Sequence, residues 1–427
     1  MCARLDEYRH AGPRALPRTM RAVVLSGRGL QSIACTTADV PTPGPDQLLC
    51  RVDAAGVCTS ILKIAEQGAE HTYFHGWDPA RWPVILGDEG SLTVMVAGAN
   101  LADRYRPGQR LGLQPACDSP PINWRERYRD GGRAMKKTAV GYTLGGCLAE
   151  YLLVGEEVLR SGSLVPLPDD SLPYFAVSMG EPISCVISAQ ERQFHLYCPS
   201  PLSPRQARLG LLPGGTTVVI GLGPMGLMHA ELALRYRPKH LLACDRIAAR
   251  LERALRTVGP RAQRAGVNFV AVPADQLKAR VMELTGGAGA DDIILAVGIQ
   301  EVQQQALELL GRGGVANLFG GLPRGRHMLQ VDAIRVHYDE IKLVGSSGGS
   351  PGDLAGSLRA IAAGEIDPGN YVCAIADLEH VPEVLAMIRD NRVEGKVIIY
   401  PHARAGRLMP VEYWDGRRES EFLEQHL

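Results

Sequence analysis

The sequence predicts an α/β protein, in which a mostly antiparallel β domain is followed by a parallel sheet covered by helices. Short β-branched runs separated by Gly and Pro fill residues 21–165. Beyond Gly215, apolar strand patterns alternate with helical patterns. Gly (48) and Pro (29) are frequent while aromatic residues make up only 5%, a balance that suits many tight connections. A length of 427 residues exceeds that of a typical single domain, so we expect at least two.

The composition argues against nucleic-acid and membrane partners. Lys+Arg and Asp+Glu both total 46, so no net field attracts a polyanion or an anionic lipid surface. The most apolar window, residues 216–234, is interrupted by glycines, a proline, His229 and Glu231, which is too broken for a bilayer span. The ten cysteines show no CxxC pair and no compact framework, as expected where thiols stay reduced. These features predict a cytoplasmic protein.

The first part of the chain predicts a β domain over residues 20–185, preceded by a loose extension at 1–19 that has no signal-peptide core. The polar, Arg-rich stretch 118–141 has no clear periodicity and is predicted to be a surface excursion. The predicted strands are Ala22–Leu25, Gln47–Val52, Ser91–Val96, Arg110–Leu113 and Glu150–Val154.

The next part predicts a doubly wound domain over residues 186–350. A helix is expected over Gly180–Gln193, and the Pro-rich stretch 199–213 is a candidate boundary loop. The alternating elements are the strand Thr216–Ile220, the helix Leu227–Tyr236, the strand His240–Cys244, the helix Arg246–Val258, and strands near Phe269, Ile293, Val315 and Leu343. Residues 351–402 are predicted to rejoin the first domain and to close with the strand Lys396–Tyr400, leaving 403–427 as a peripheral tail.

A glycine motif opens the second domain. Gly221, Gly223, Pro224, Met225 and Gly226 lie in a GxGxxG string that follows a predicted strand and begins a helix. The first glycine allows the tight turn, the second lets the backbone approach a pyrophosphate, and the third lets helix and strand pack closely. The unpaired N–H groups of the helix start favour the anion. This context predicts a dinucleotide site rather than an ordinary glycine-rich turn.

The end of the next predicted strand indicates which dinucleotide binds. Asp245 lies 19 residues beyond Gly226, where a carboxylate can accept hydrogen bonds from both ribose hydroxyls. Its charge also disfavours a 2′-phosphate, which points to NAD. Arg246 leaves NADP open, because an arginine nearby can receive that phosphate.

Several further motifs accompany the glycine string. They are residues 56–60 (GVCTS), 87–90 (GDEG), 107–110 (PGQR), 145–151 (GGCLAEY) and 181–185 (EPISC). With them, residues 20–400 resemble the medium-chain dehydrogenase/reductase family. The resemblance implies a GroES-like catalytic domain and a Rossmann domain. The run 58–68 (CTSILKIAEQG) with His71 resembles the sugar-phosphate and polyol branch, including sorbose-1-phosphate reductases and sorbitol dehydrogenases.

The resemblance implies one catalytic zinc, whose ligand positions fall on Cys58, Asp88, Glu89 and Glu181. Asp88 stands where the family has histidine, and this exchange adds a negative charge that should weaken the Lewis acidity of the metal. Ser60 falls at the position of the hydroxyl that accepts the alcohol proton, and Lys63 at that of the next relay group. A lysine beside several carboxylates keeps its proton, so Lys63 is expected to offset Asp88 or to contact a phosphate.

The sequence also bears on two further questions, which are whether other histidines could bind the zinc and whether a second, structural zinc is present. His71, His75 and His337 are possible substitute ligands, although a lone histidine is more often satisfied by hydrogen bonds. The stretch that carries the four cysteines of a structural zinc in many family members offers only Cys117. Four thiolates close such a site, so we expect no structural zinc here.

The favoured function is hydride transfer between a nicotinamide and a secondary alcohol, polyol or sugar, with Ser60, Lys63 and Glu181 as catalytic candidates. A zinc-free reductase of the same fold, in which Lys63 or Ser60 stabilises the oxyanion, is an alternative. So is a nucleotide-binding protein that has lost the chemistry. Pocket shape would depend on residues such as Tyr73, Phe74, Trp77 and Trp82. A homodimer or homotetramer is expected, with Leu343–Val344–Gly345 as a candidate contact.

Overall fold

The structure is a computed structural model that describes residues 3–9, 16–74, 77–117, 139–323 and 325–427. Most of the predicted excursion, residues 118–138, lies outside the described residues. The chain divides into two compact units. The first unit is Met1–Ser184 with Gly349–Leu427, and the second is Cys185–Gly348. The helix Gly180–Glu191 runs across the division.

The described strands, in chain order, are β1 Thr19–Leu25, β2 Ile33–Asp39, β3 Leu48–Gly56, β4 Val84–Ile85, β5 Glu89–Ala97, β6 Arg110–Leu113, β7 Tyr151–Val154, β8 Leu164–Pro166, β9 Phe194–Tyr197, β10 Gln206–Leu209, β11 Thr216–Ile220, β12 His240–Asp245, β13 Asn268–Pro273, β14 Ala290–Leu295, β15 Leu310–Leu318, β16 Lys342–Gly345, β17 Val372–Ala376, β18 Lys396–Ile399 and β19 Met409–Pro410. The described α-helices are Ala3–Arg9, Ser60–Gln67, Glu156–Arg160, Tyr174–Ser178, Gly180–Glu191, Pro224–Ala233, Ala248–Thr257, Gly259–Ala265, Leu277–Thr285, Gln300–Ala306, Ala333–Tyr338, Pro351–Ala362, Val381–Arg389 and Gly416–His426.

The first unit is built on an eight-stranded sheet. Its order is β19-β17-β18-β3-β5-β6-β8, and β7 also pairs with β3. All pairs are antiparallel except β17 with β18. Every residue of β3 is buried, so this strand lies in the core and its ends are held by neighbours on both sides. A smaller sheet, β2-β1-β4, completes the unit.

The second unit is a parallel sheet of order β13-β12-β11-β14-β15-β16. All five pairs of neighbouring strands in this six-stranded sheet are parallel, and β11 is buried along its whole length. A separate antiparallel ribbon, β9-β10, precedes it. Together the two units confirm the predicted α/β fold class.

The second unit departs from the sequence prediction in two places. Residues 199–213 were predicted as a candidate boundary loop, but residues 206–209 within this stretch pair with residues 194–197 as the ribbon β9-β10. The predicted helix Arg246–Val258 is observed over Ala248–Thr257, and a second helix begins at Gly259 with Pro260 in its first turn. Proline is favoured there because its missing N–H would have no helical partner in any case.

Both ends of the chain pack more closely than the sequence suggested. Within the predicted extension, the side chain of Leu5 is 1% exposed, and the Arg51 guanidinium stacks 3.6 Å from the centre of the Tyr8 ring. Within the predicted tail, Phe422 and Leu423 of the helix Gly416–His426 are buried. The carboxylate of Glu419 accepts hydrogen bonds from the backbone N–H groups of residues 174 and 175. These contacts join residues that are far apart in the sequence, so no local sequence pattern predicts them.

Among the described residues, no helix has both the length and the apolar character that crossing a membrane requires.

Candidate active site

Cys58 follows the central strand of the first unit. Its neighbour Val57 donates its N–H to the carbonyl of Val397 at 3.0 Å, which extends the contact of β3 with β18. The helix Ser60–Gln67 then begins and buries Ile61, Ile64 and Ala65 against the core. The apolar spacing of this helix and the end of β3 therefore fix where the Cys58 thiol lies.

The two carboxylates come from the start of β5, the neighbour of β3. Glu89 pairs with Gly56 in the antiparallel register, so the end of one strand lies beside the start of the other. Cys58 Sγ and one carboxylate oxygen each of Asp88 and Glu89 lie within 4.8 Å of one another. The structure thus brings three of the four sequence-predicted metal ligands into one cluster.

Gly56 makes room for this cluster. A Cβ atom at this position would clash with Oε2 of Glu89. Only glycine leaves the carboxylate its observed position, so the glycine of the GVCTS motif is explained by the site. Gly87, just before the carboxylates, has φ +104°, a left-handed conformation that glycine adopts without strain.

Each carboxylate is held by one oxygen, and its other oxygen is buried without a partner. The Ser60 hydroxyl donates to Oδ2 of Asp88 at 3.0 Å, and the Lys396 ammonium donates to Oε1 of Glu89. Asp88 Oδ1 and Glu89 Oε2 make no hydrogen bond within the described residues. A buried oxygen without a partner costs free energy unless a ligand satisfies it, so both oxygens indicate a binding site for a cation.

The electrostatics of the cluster reflect this crowding of acidic groups. Burial raises the pKa of the Cys58 thiol well above its usual value, and Asp88 and Glu89 raise it further. Burial, with the nearby charge of Glu89, also raises the pKa of Asp88 to about 6. Lys396 opposes both shifts. Burial lowers the pKa of Lys396, but the charge and hydrogen bond of Glu89 together with the charges of Cys58 and Glu181 outweigh this effect, and the pKa ends above its usual value.

Lys396 is a site residue that the sequence interpretation did not identify. It lies on β18, 307 residues from Glu89, and its side chain is 9% exposed. Lys63, expected to offset Asp88, is instead exposed on the helix Ser60–Gln67. Within the described part of the chain, the side-chain cation that contacts the cluster is Lys396. The strand Lys396–Tyr400 was itself predicted, but no spacing rule links it to Glu89.

Tyr142 is a second residue that the sequence interpretation missed. Ser60 is near enough to lower the pKa of the Tyr142 hydroxyl, but burial and Asp88 outweigh it and raise that pKa overall. The Tyr142 ring packs 5.4 Å from the rings of His71 and Tyr73 and 6.4 Å from that of Phe74. These aromatic side chains pack together as an aromatic wall, in which Tyr142 is the member near Ser60.

The remaining candidates lie in different surroundings. Glu181 is buried and its charge raises the pKa of Cys58, but it is not part of the three-ligand cluster. His71 packs in the aromatic wall and His337 is exposed in the second unit, whereas His75 lies outside the described residues. The exposed rings of Trp77 and Trp82 contact each other at 5.4 Å.

The glycine loop of the second unit has the predicted local geometry. Gly221 has φ +91°, and a Cβ at Gly226 would clash with the carbonyl oxygen of Gly221. A Cβ at Gly223 would meet no other atom within 4 Å, so this backbone is open to a ligand. Gly223 is the N-cap of the helix Pro224–Ala233, whose first position is Pro224. The loop can therefore present helix N–H groups to a phosphate.

Asp245 ends β12 and contacts this loop directly. Its Oδ2 accepts a hydrogen bond from Leu222 N at 2.7 Å, and its Oδ1 accepts one from Ile247 N at 2.9 Å. The side chain is thus fixed beside the glycine loop by the backbone, a role that the sequence did not indicate. Arg246, the next residue, is exposed.

Both parts of the chain match family models of dehydrogenases. The family model "Alcohol dehydrogenase GroES-like domain" matches residues 44–169, and the model "Zinc-binding dehydrogenase" matches residues 224–363. The chain is 28% identical over 398 residues to mannitol-1-phosphate 5-dehydrogenase of Aliivibrio fischeri, which covers 91% of this chain and 88% of the relative. It is also 27% identical to L-sorbose 1-phosphate reductase of Klebsiella pneumoniae, and this match covers 83% of this chain and 82% of the relative.

Solved structures show the same fold. The 2R,3R-butanediol dehydrogenase of Bacillus subtilis superposes with a TM-score of 0.70 at 20% identity, covering 90% of this chain and 99% of that chain. With both family models and relatives that match nearly the whole chain, the protein belongs to the zinc-type medium-chain dehydrogenase/reductase family, nicotinamide-dependent oxidoreductases of alcohols and polyols.

Proposed function

We propose that this enzyme oxidises a secondary alcohol of a polyol or sugar, or of its phosphate ester, with NAD as hydride acceptor and one catalytic zinc. The observation that carries the proposal is the pair of buried oxygens without partners, Asp88 Oδ1 and Glu89 Oε2, beside Cys58 Sγ. Thiolate and carboxylate are both zinc ligands, and three protein ligands with one open position are typical of a catalytic site.

The donor set fits a zinc ion. Cys58, Asp88 and Glu89 would hold it, and buried Glu181 is a candidate for a further ligand. Three anionic ligands against a dication leave one excess negative charge, and the Lys396 ammonium at Glu89 compensates it. Asp88 in place of the neutral histidine of the family is therefore balanced within the site. When bound, the zinc supplies Lewis acidity toward the substrate oxygen.

The residues of the chain contribute the proton path and the orientation. Ser60 directs its proton to Asp88 Oδ2, so its oxygen can accept a hydrogen bond from the substrate hydroxyl. Oxidation releases one hydride, which goes to C4 of the nicotinamide, and one proton, which passes to Ser60 Oγ as Ser60 gives its own proton to Asp88 Oδ2. Tyr142 and the aromatic wall limit the access of water to this hydroxyl.

The choice of NAD is supported by the position of Asp245. Its carboxylate is fixed beside the glycine loop, where a fixed negative charge opposes a 2′-phosphate. Exposed Arg246 keeps NADP as the competing cofactor. Kinetics with both cofactors at equal concentration test this part of the proposal.

The names of the relatives suggest which substrates to test. They include a mannitol phosphate dehydrogenase, a sorbose phosphate reductase and a D-arabitol-phosphate dehydrogenase of Enterococcus avium. We therefore propose hexitols, pentitols and their monophosphates as the substrate class. Homo-oligomeric assembly, cytoplasmic location and the lack of a structural zinc remain predictions from the sequence.

One experiment tests the metal and the reaction together. Purified protein is analysed for zinc and assayed with NAD and a panel of polyols, ketoses and their phosphates. The assays are repeated after chelation and with Cys58→Ser. We expect one zinc per chain and activity that is lost in both treatments. Activity that survives both would favour a zinc-free reductase, and cofactor binding without turnover would favour a non-catalytic protein.

A further inference from the structure

Arg110 carries two buried N–H donors that no described residue satisfies. It ends the PGQR motif at residues 107–110 and begins β6. Its Nη1 donates to the carbonyl of Asp170 at 2.6 Å. Its Nε and Nη2 are buried and make no hydrogen bond within the described part of the chain. Buried donors without a partner cost free energy, and the reaction proposed above does not use them, so they indicate a ligand of their own.

The two donors form one edge of the planar guanidinium group. Nε–H and the neighbouring N–H of Nη2 point in nearly the same direction, and such a pair matches two oxygens of a carboxylate or a phosphate. The Arg110 Cζ lies 4.4 Å from the centre of the Tyr174 ring. The ring therefore packs on a face of the guanidinium group and, with the hydrogen bond to Asp170, fixes its orientation, while the Nε–Nη2 edge keeps its donors.

A cavity of about 460 Å³ in the first unit borders this arginine. It is lined by Arg9 of the first helix, by Arg110 with residues 170–174, and by Gly416 and Glu419 of the last helix. Small-molecule sites in proteins begin at about 300 Å³, whereas a single water takes up about 30 Å³ of liquid. The cavity can therefore hold a molecule of several carbon atoms rather than a bare ion alone.

The charged groups around the cavity favour an anion. Arg9 donates from Nη2 to Ser420 Oγ at 2.6 Å, and a guanidinium group has further N–H donors. Glu419 also lines the cavity, but its carboxylate already accepts hydrogen bonds from two backbone N–H groups and from the Tyr400 hydroxyl. Asp170 is exposed and contributes its carbonyl oxygen. Two arginines thus remain to bind a negatively charged ligand.

We propose that this cavity binds a small molecule through a phosphate or carboxylate group, which accepts two hydrogen bonds from Nε and Nη2 of Arg110 and one from Arg9. The site is separate from the metal cluster. Arg110 pairs with Thr93, which lies four residues beyond Glu89 on β5, or roughly 13 Å along the strand. Because the ligand would join Arg9 of the first helix to the core of the unit, its binding would also stabilise the attachment of that helix. The proposal does not depend on zinc, on NAD or on hydride transfer.

Isothermal titration calorimetry with inorganic phosphate and with acetate tests the site. The protein is saturated with NAD, so that the glycine loop is occupied, and chloride keeps the ionic strength constant. Wild type should bind at least one of the two anions. Arg110→Lys keeps the charge but loses the paired donors, so its dissociation constant should rise at least about tenfold. Arg417→Lys is the matched control and should bind as wild type does, because the Arg417 side chain is 69% exposed and pairs with Glu421 on the last helix.

Asp169→Asn is a second test variant, at an exposed position. The hydrogen bond from Ser171 N lowers the pKa of Asp169, and the Arg110 charge lowers it further, so this carboxylate competes with the ligand for Arg110. Asparagine keeps the oxygen that Ser171 N contacts and removes the charge. Binding of the anion should therefore tighten by about twofold or more.

The results separate the two ligand classes and can refute the site. Whichever anion binds more tightly identifies the ligand as a phosphate ester or as a carboxylic acid, and either supports the proposal. A wild type that binds neither anion, or an Arg110→Lys protein that binds as wild type does, would overturn it. Equal or weaker binding by Asp169→Asn would also overturn it, and this outcome can be read even if Arg110→Lys fails to fold.

Discussion

The ion pair between Lys396 and Glu89 provides the sharpest test of the site. Glu89 is 1% exposed at its side chain and Lys396 is 9% exposed, and the Lys396 charge serves a cluster that also contains Asp88 and Cys58. Replacing Lys396 by Met keeps most of the side-chain volume and removes the charge. The metal-free protein is then left with buried acidic groups and no cation in contact with Glu89.

The expected destabilisation of the metal-free protein is about 3–5 kcal/mol, the range for breaking a buried pair at one partner. A matched control is Lys278→Met, because Lys278 pairs with Glu308 at 3.0 Å with side chains 68% and 65% exposed. Such a solvent-exposed pair contributes about 0–1 kcal/mol. Both pairs join a lysine to a glutamate, so the contrast between the two lysines follows from burial and from the acidic groups that surround Glu89.

Urea unfolding of the chelated proteins measures the difference. Trp77, Trp82 and Trp414, the tryptophans among the described residues, belong to the first unit, so their fluorescence reports the unfolding of the unit that holds the site. Adding zinc should stabilise Lys396→Met more than wild type, because the ion replaces the missing positive charge. Equal unfolding midpoints for Lys396→Met and Lys278→Met would refute the reasoning, as would a Lys396→Met protein that zinc does not stabilise.

Three further predictions concern other parts of the chain. Gly56→Ala should lower the zinc content of the purified protein, because the added Cβ would displace the Glu89 carboxylate. Gly145→Ala is the control, since its Cβ would meet its nearest neighbour at 3.9 Å and should leave the zinc content unchanged. Equal zinc content in the two variants would contradict the role of Gly56. Burial raises the pKa of Glu419 from 4.5 to about 7, so its contribution to stability should fall by a few kcal/mol as pH rises from about 4.5 through 7. Urea unfolding should show a steeper fall in wild type than in Glu419→Gln, which keeps the smaller fall due to Asp88, and equal slopes would contradict it. Asp245→Ala should reduce the preference for NAD over NADP by about 1 kcal/mol or more in kcat/KM, and an unchanged ratio would remove Asp245 from cofactor selection.

The sequence by itself was sufficient for features that depend on short stretches of chain. The strand before Gly221, the glycine spacing and the helix start at Pro224 are local, because turn geometry and apolar periodicity are properties of neighbouring residues. The same holds for the alternation of strands and helices that predicted the α/β class. The resemblance of short motifs to a family also named Cys58, Asp88 and Glu89, which the structure brings within 4.8 Å.

Only the tertiary structure revealed the groups that act across the chain. Lys396 meets Glu89 over 307 residues, and no spacing rule joins a residue of β18 to one of β5. The partner of Ser60, the position of Tyr142 and the packing of Glu419 on residue 174 likewise depend on which strands and helices become neighbours. Charge compensation and packing act through space, whereas sequence patterns report periodicity along the chain, and this difference separates what was predicted from what was not.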